Sequence, residues 1–401
     1  MPAHGPRRLV TALYAYAFLD EFVLLYPLYA LLFTDAGLDA AQLSALFVLW
    51  SATAVVLEVP SGALADSLSR RALLVVAPLL GAAGFALWVA VPSFWAFAAG
   101  FVLWGARGAL VSGALEALVY EGLAASGAAG DYARVLGRSH TAGVVAVVAA
   151  TALAAPAFSI GGYALVGAAS VAACLLAAAA ALLLPEHRRP SPALPDEPDA
   201  DSAGYLATLL AGLREARGVP AVRRAVLLVP AVTAVWGSLE EYTARLVRGT
   251  GVPTADVPWW ELVLWSGVAA GGLLAGRAAR WRAPALGGLL AVAALALAGG
   301  ALSGAVAGIV AVAAAFGAFQ LTGVVVGARL QDAVTGPARA TVTSVASLAT
   351  ELLAVAVYGV YSALGDRLGD GPTFALLALA YLPMAVWVAR GVSPRGDTMG
   401  A

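Results

Sequence analysis

The chain is a succession of long apolar stretches separated by short polar connections, and each stretch is about 20 residues long. That is the length at which an α-helix crosses a hydrocarbon core about 30 Å thick. Twelve such stretches can be marked, at about 9–33, 41–65, 72–91, 94–119, 136–158, 161–184, 225–246, 257–276, 284–301, 304–328, 340–364 and 372–390. Inside a bilayer every backbone N–H and C=O must find a partner within the protein, which restricts segments of this kind to helices. The expected fold is an all-α integral membrane protein with twelve transmembrane helices.

Charge supports this reading. Only 12% of the residues are charged and 61% are apolar, where a soluble domain carries about 25% charged residues. An ordinary soluble enzyme and a disordered chain are both excluded. The net charge is −1 and no basic tract lies outside short connections, so no nucleic-acid partner is expected. The single cysteine, Cys174, has no partner for a disulfide. The chain has no Lys for a nucleotide-binding glycine loop, its three histidines are scattered, and no nucleophile stands at a catalytic spacing from a base. Neither a cofactor, a metal site nor an enzymatic activity is expected. The amino-terminal MPAHGPRR and the apolar run after it have the outline of a secretion signal. The run is too long and contains Asp20 and Glu21, so it reads as a retained first span.

Arginines orient the spans, because loops facing the cytoplasm collect positive charge. With both termini inside, eighteen arginines fall in cytoplasmic segments, among them Arg7, Arg8, Arg70, Arg71, Arg134, Arg138, Arg277, Arg280, Arg339 and Arg390. Only Arg245, Arg248 and Arg367 fall outside, and Arg107 and Arg329 lie within or at the inner edge of spans. A different span count would scramble that pattern. The expected location is the plasma membrane, with both termini cytoplasmic.

Residues 1–184 and 221–401 then hold six spans each, joined by a cytoplasmic linker at 185–220 that is rich in Pro and charge and ends in an amphipathic helix. The halves echo one another in order. Leu19-Asp20-Glu21-Phe22 returns as Leu239-Glu240-Glu241-Tyr242, and Leu49-Trp50-Ser51 as Leu264-Trp265-Ser266. GALADSLSRR, from Gly62 to Arg71, returns as GLLAGRAARW, from Gly272 to Trp281. The chain reads as a duplicated six-helix unit, and parallel repeats of this kind build transporters with a site at the repeat interface.

GALADSLSRR after the second span resembles the loop signature of the major facilitator superfamily, with Gly62, Leu64, Asp66, Arg70 and Arg71 on pattern and Ser67 and Ser69 departing from it. Preceded by Glu58-Val59-Pro60-Ser61, it is similar to a branch of bacterial transporters described as drug exporters. SGALEALVYE in the fourth span and RATVTS at Arg339 to Ser344 fit the same branch. The resemblance implies two six-helix bundles, transport by alternating access, and a cavity lined by spans 1, 4, 7 and 10. At the inner end of span 2, Asp66 can latch the inner face by pairing with an arginine or a helix amino terminus, and Gly62 allows close helix approach. Glu58, just before the motif, joins this candidate inner gate.

A charge at the bilayer centre costs about 2.5–3.5 kcal/mol even on the lenient insertion scale, so each needs a partner or a cavity. Within the spans stand Asp20, Glu21, Glu58, Arg107, Glu116, Glu240, Glu241, Arg329 and Glu351. At 1.5 Å per residue, Asp20 and Glu21 lie about 17 Å into span 1, near the midplane, with Arg107 and Glu351 at similar depth. Adjacent acids point about 100° apart on a helix, so one of each pair can face the cavity and the other a neighbouring helix. Asp20, Glu21, Arg107, Glu240, Glu241 and Glu351 are the candidates for proton or substrate coupling; the competing reading is static salt bridges between helices. Glu116, Arg329 and the lone His140 read as polar contacts near headgroup depth. Tyr14, Tyr26, Trp104 and Gln320 are candidate cavity-lining residues, the aromatics suited to stacking on an aromatic or cationic substrate.

The resulting expectation is a proton-coupled secondary transporter exporting small hydrophobic or cationic compounds. Its partners are substrate, protons and lipid, and it acts as a monomer. An importer of a small metabolite, with Arg107 holding an anionic group, and a non-transporting receptor or scaffold are the alternatives.

Overall fold

The computed structural model describes residues 6–186, 220–333 and 339–390. Among them the regular structure is helical: α1 (Pro6–Glu21), α2 (Tyr29–Asp35), α3 (Ala40–Ser67), α4 (Arg70–Ala90), α5 (Phe94–Ala125), α6 (Tyr132–Leu182), α7 (Pro220–Glu240), α8 (Thr243–Gly249), α9 (Val257–Ala278), α10 (Ala283–Leu302), α11 (Val306–Ala333), α12 (Arg339–Leu368), α13 (Asp370–Ala378) and α14 (Tyr381–Ala389). Short 3-10 turns at Ala129–Asp131 and Thr254–Asp256 lead into α6 and α9. The expected linker at 185–220 lies almost wholly outside the described residues. The side chains of Glu58, Gly62 and Asp66, on α3, also lie outside them.

Nine helices among the described residues are long and apolar enough to cross a membrane. One of the nine, Ala129–Leu182, has 54 residues, and a straight helix of that length would be about 80 Å long. It is interrupted at Gly161 and Gly162, the latter at φ +57°, a left-handed conformation that only glycine adopts at no steric cost. Gly143, before the interruption, packs on Glu21, and Ser170, after it, bonds Leu25. A straight helix would hold residues 143 and 170 about 40 Å apart. The chain therefore doubles back at the glycine pair, giving the fifth and sixth spans where the sequence divides them.

Three spans expected to be continuous are broken. In span 1 the helix stops at Glu21 and resumes at Tyr29. Pro27 has no N–H to give, its ring clashes with the carbonyl of Val23, and it disfavours helical geometry at Tyr26. The displaced donors find other acceptors: Leu25 N–H bonds Ser170 Oγ at 3.1 Å, and Val23 N–H bonds the Glu21 carbonyl at 2.9 Å. Such substitutions are what makes a broken helix tolerable in lipid. Span 12 pauses at Leu379 and Ala380, and Pro383 is the residue whose missing N–H would have bonded the Leu379 carbonyl. Span 7 breaks between Glu240 and Thr243 without a proline, and there the Thr243 hydroxyl bonds the Glu240 carbonyl at 2.7 Å.

The residues group into two compact units, one of residues 1–38 and 45–201, the other of residues 39–44 and 202–401. The first is packed around Leu9, Leu13, Tyr16, Leu74, Leu118 and Leu184 and around an aromatic group centred on Trp88, Phe101 and Trp104. In the second, α9 and α11 meet through Gly267 and Gly271 on one helix and Ala313 and Gly317 on the other, where a Cβ on Gly271 would collide with the Gly317 backbone. This small-residue spacing lets membrane helices approach backbone to backbone. Large apolar side chains such as Ile160 and Leu273 are more than 80% exposed, an arrangement that suits a lipid solvent and not water.

Candidate functional site

The break in span 1 carries the densest polar group of the first unit. Helix α1 ends with the carbonyls of its last turn lacking intrahelical donors, a locus of partial negative charge. Arg107, from the middle of α5, answers it. Its Nη2 donates to Asp20 Oδ2 at 2.8 Å and to the Asp20 carbonyl at 2.7 Å, and its Nε to Asp20 Oδ1 at 3.3 Å. The guanidinium thus binds both the side chain and the main chain of one residue, taking the place of the missing helical turn. Arg107 and Asp20 are only 5% and 7% exposed. A buried ion costs several kcal/mol unless it is paired and its remaining hydrogen bonds are met, as they are for this pair.

Tyr26 extends the network from the far side of the break. Its hydroxyl receives Arg107 Nη1 at 3.4 Å and donates to Glu21 Oε2 at 3.5 Å. Glu21 points away from Asp20, toward Gly143 of span 5, where a Cβ would lie 3.2 Å from Glu21 Cγ. The adjacent acids diverge, Asp20 onto the guanidinium and Glu21 against a neighbouring helix. Gly81 makes room for the arginine, since a Cβ there would stand 3.1 Å from Arg107 Cδ.

Aromatic rings continue from Tyr26. It stacks on Trp104 with centroids 5.5 Å apart, and Trp104 stacks on Trp50 at 5.0 Å. Tyr26, Trp50 and Trp104 are half-buried, whereas Trp88, Phe33 and Phe101 behind them are fully buried. Of the other cavity candidates, Tyr14 packs on the apolar cluster around Leu9 and Leu13, and Gln320 is half-buried on α11.

The loop motif holds its own polar junction within the first unit. Arg70 pairs with Glu121 at 2.5 Å, so the signature loop meets the SGALEALVYE segment that ends in that glutamate. Ser69, which departs from the loop signature, caps α4 by accepting Ala72 N–H at 3.1 Å and donates to Glu186 Oε2 at 2.7 Å. The departure has a structural use as a helix cap. Arg71, Glu116 and His140 are exposed.

In the second unit the break in span 7 is differently furnished. Glu240 and Glu241 are half-buried at the end of α7. Glu261, on α9, reaches the same break: it is 5% exposed, its Oε2 lies 3.1 Å from Thr243 Oγ1, and among the described residues its Oε1 has no hydrogen-bond partner. The sequence reading missed Glu261, although it lies inside the marked eighth span and the same charge-burial argument applied to it. Nearby, Arg245 bonds Asp370 through Nε at 3.2 Å and lies 3.7 Å from Asp366, while the Tyr361 hydroxyl also donates to Asp370. Glu351 is half-buried on α12, and Arg329 donates to the Trp281 carbonyl at 2.7 Å. Among the described residues no group of three His, Cys, Asp or Glu side chains is arranged to hold a metal ion.

Comparison with known proteins adds the lineage. The family model described as Major Facilitator Superfamily matches residues 10–357. No curated protein sequence matches. Among solved structures, the nucleoside transporter NupG is similar at 14% identity, with 97% of this chain and 98% of that one covered and a TM-score of 0.70. A bacterial homologue of the human lysosomal transporter Spinster, in an inward-facing and unoccupied conformation, is 17% identical over 98% of this chain and 94% of that one, with a TM-score of 0.66. The POT family transporter PepTSo is 13% identical, covers 96% of this chain and 97% of its own, and has a TM-score of 0.67. At these identities the likeness is one of fold.

Proposed function

The chain belongs to the Major Facilitator Superfamily, and from that membership we propose that it is a proton-coupled secondary transporter exporting small hydrophobic or cationic compounds by alternating access. The observation that carries this reading is the buried network of Asp20, Arg107, Tyr26 and Glu21 at the broken turn of span 1. Arg107 holds the Asp20 carboxylate and the carboxy end of α1 together, and parting them would leave a charge buried without a partner, so the ion pair and the local helix geometry are linked. That linkage is the physical requirement for driving transport with a proton gradient. The half-buried faces of Tyr26, Trp50 and Trp104 offer a stacking surface one helical turn from Arg107, suited to an aromatic or cationic cargo.

An importer using Arg107 to hold an anionic substrate is less well supported, because both edges of that guanidinium are already engaged by Asp20 and Tyr26. The six-plus-six division with a cytoplasmic linker, cytoplasmic termini, a plasma-membrane location and a monomeric state complete the proposal. Its inner gate would include Glu58, Gly62, Asp66, Arg70 and Arg71. The test is movement of a fluorescent lipophilic cation across proteoliposomes under an imposed pH gradient. Wild type should drive it. The Asp20→Asn, Glu21→Gln double variant should not, and undiminished gradient-driven movement in that variant would sink the assignment.

A further inference from the structure

The break in span 7 contains a hydrogen-bond arrangement whose protons can be counted. Thr243 Oγ1 has two oxygen neighbours, the Glu240 carbonyl at 2.7 Å and Glu261 Oε2 at 3.1 Å. A threonine hydroxyl has one hydrogen to donate and two lone pairs with which to accept. The carbonyl can only accept, and its contact is the shorter, so the threonine hydrogen belongs to it. The contact with Glu261 is then a hydrogen bond only if Glu261 supplies the hydrogen. An ionised carboxylate has none, so the geometry calls for Glu261 in its neutral form, donating from Oε2 to Thr243.

The surroundings agree. Glu261 is 5% exposed and Oε1 is buried without a partner. An orphan oxygen costs far less on a neutral carboxyl than on a carboxylate, whose charge would be left desolvated. The elements packed against α9 carry Arg245, Arg248, Asp256 and Arg329, and the end of α7 before Thr243 carries Glu240 and Glu241. Glu240 and Glu241, at the end of α7, are acids like Glu261 itself, and none of the three offers another an opposite charge. Arg245 is committed to Asp370 and Asp366. The end of α7 adds the partial negative charge of a helix carboxy terminus. In transporters, the carbonyls of a discontinuous helix and the side chains around them are where a coupling cation is held.

We propose that Glu261 is a proton-carrying residue of the second unit, protonated and donating to Thr243 Oγ1 in this conformation and exchanging that proton with water when the break in span 7 rearranges. The proton enters or leaves as H₃O⁺ or by transfer to water, with no other bond made or broken. The proton's use in transport rests on the coupling role proposed for span 1, but its presence does not, and the two are tested apart.

The test is infrared difference spectroscopy of the purified protein in lipid at neutral pH. Glu261→Gln should remove one carboxylic C=O band from the wild-type spectrum, and transfer to D₂O should shift that band to lower frequency. Thr243→Val, which keeps the carboxyl but deletes its acceptor, should move the same band to higher frequency and serves if Glu261→Gln fails to fold. Identical carboxyl regions in wild type and Glu261→Gln would mean an ionised Glu261 and overturn the proposal. A band that never shifts in D₂O would mean a fixed structural proton and overturn it equally. If the band behaves as expected while the Asp20, Glu21 double variant still transports, the Glu261 assignment stands and the coupling role of span 1 falls.

Discussion

The two broken helices carry matching sequence elements, Leu-Asp-Glu-Phe in span 1 and Leu-Glu-Glu-Tyr in span 7, and they differ in what balances their charge. In the first, a guanidinium reaches in from α5 and holds Asp20 by its carboxylate and its carbonyl. In the second, a further carboxyl, Glu261, approaches from α9 and shares a threonine hydroxyl with the helix end. One break is neutralised by an opposite charge, the other by the proton assigned to Glu261. The difference teaches that two segments of matching sequence can share a mechanical feature, the interrupted helix, while different electrostatics set it.

The largest effect should come from removing the arginine. Arg107→Ala leaves the Asp20 carboxylate buried without a partner and should cost about 3–5 kcal/mol of stability, measured by thermal unfolding in detergent. Adding Asp20→Asn should recover part of that loss; a double variant as unstable as the sum of the singles would break the assignment of an ion pair. Next comes Ser170→Ala, which strands the Leu25 N–H and should cost about 1–3 kcal/mol; protection of that amide in hydrogen exchange should fall with it. Tyr26→Phe deletes two long hydrogen bonds and keeps the stacking, for about 0.5–1.5 kcal/mol. The smallest change is expected at the second break. Glu261→Gln replaces a neutral donor by another, since an amide N–H can serve Thr243 as the carboxyl did, and should alter stability by less than about 1 kcal/mol. If Glu261→Gln proved as damaging as Asp20→Asn, the two breaks would be electrostatically alike and the contrast between them would fail.

Much of this was readable from the chain. The lengths of the apolar stretches name the fold class, and the glycine pair at 161–162 marks the turn between spans 5 and 6. The matching depths of Asp20 and Arg107 along their spans bring the two to one level of the membrane. The hold on the Asp20 carbonyl was not readable, because a hydrogen bond to the main chain leaves no trace in side-chain identity. Pro27 signals the first break through its missing N–H, whereas Glu240 to Thr243 contains no proline or glycine and its interruption depends on a threonine hydroxyl that sequence patterns treat as ordinary. Glu261 escaped because it stands close to the start of the marked eighth span, at 257–276, where an acid is within reach of the headgroups and needs no buried partner. Packing of α9 on α11 through paired glycines is what places that region in the protein interior.

That Arg107 grips a carbonyl as well as a carboxylate has a bearing on what substitution at this site can change. Every amino acid presents the same carbonyl, so one of the three contacts persists whatever side chain stands at position 20. Loss of the acid would leave the guanidinium anchored to the main chain with its charge buried and uncompensated, so the carbonyl fixes where the arginine sits and the carboxylate balances its charge. Placement and charge balance of the arginine are thus separable by substitution at position 20 alone.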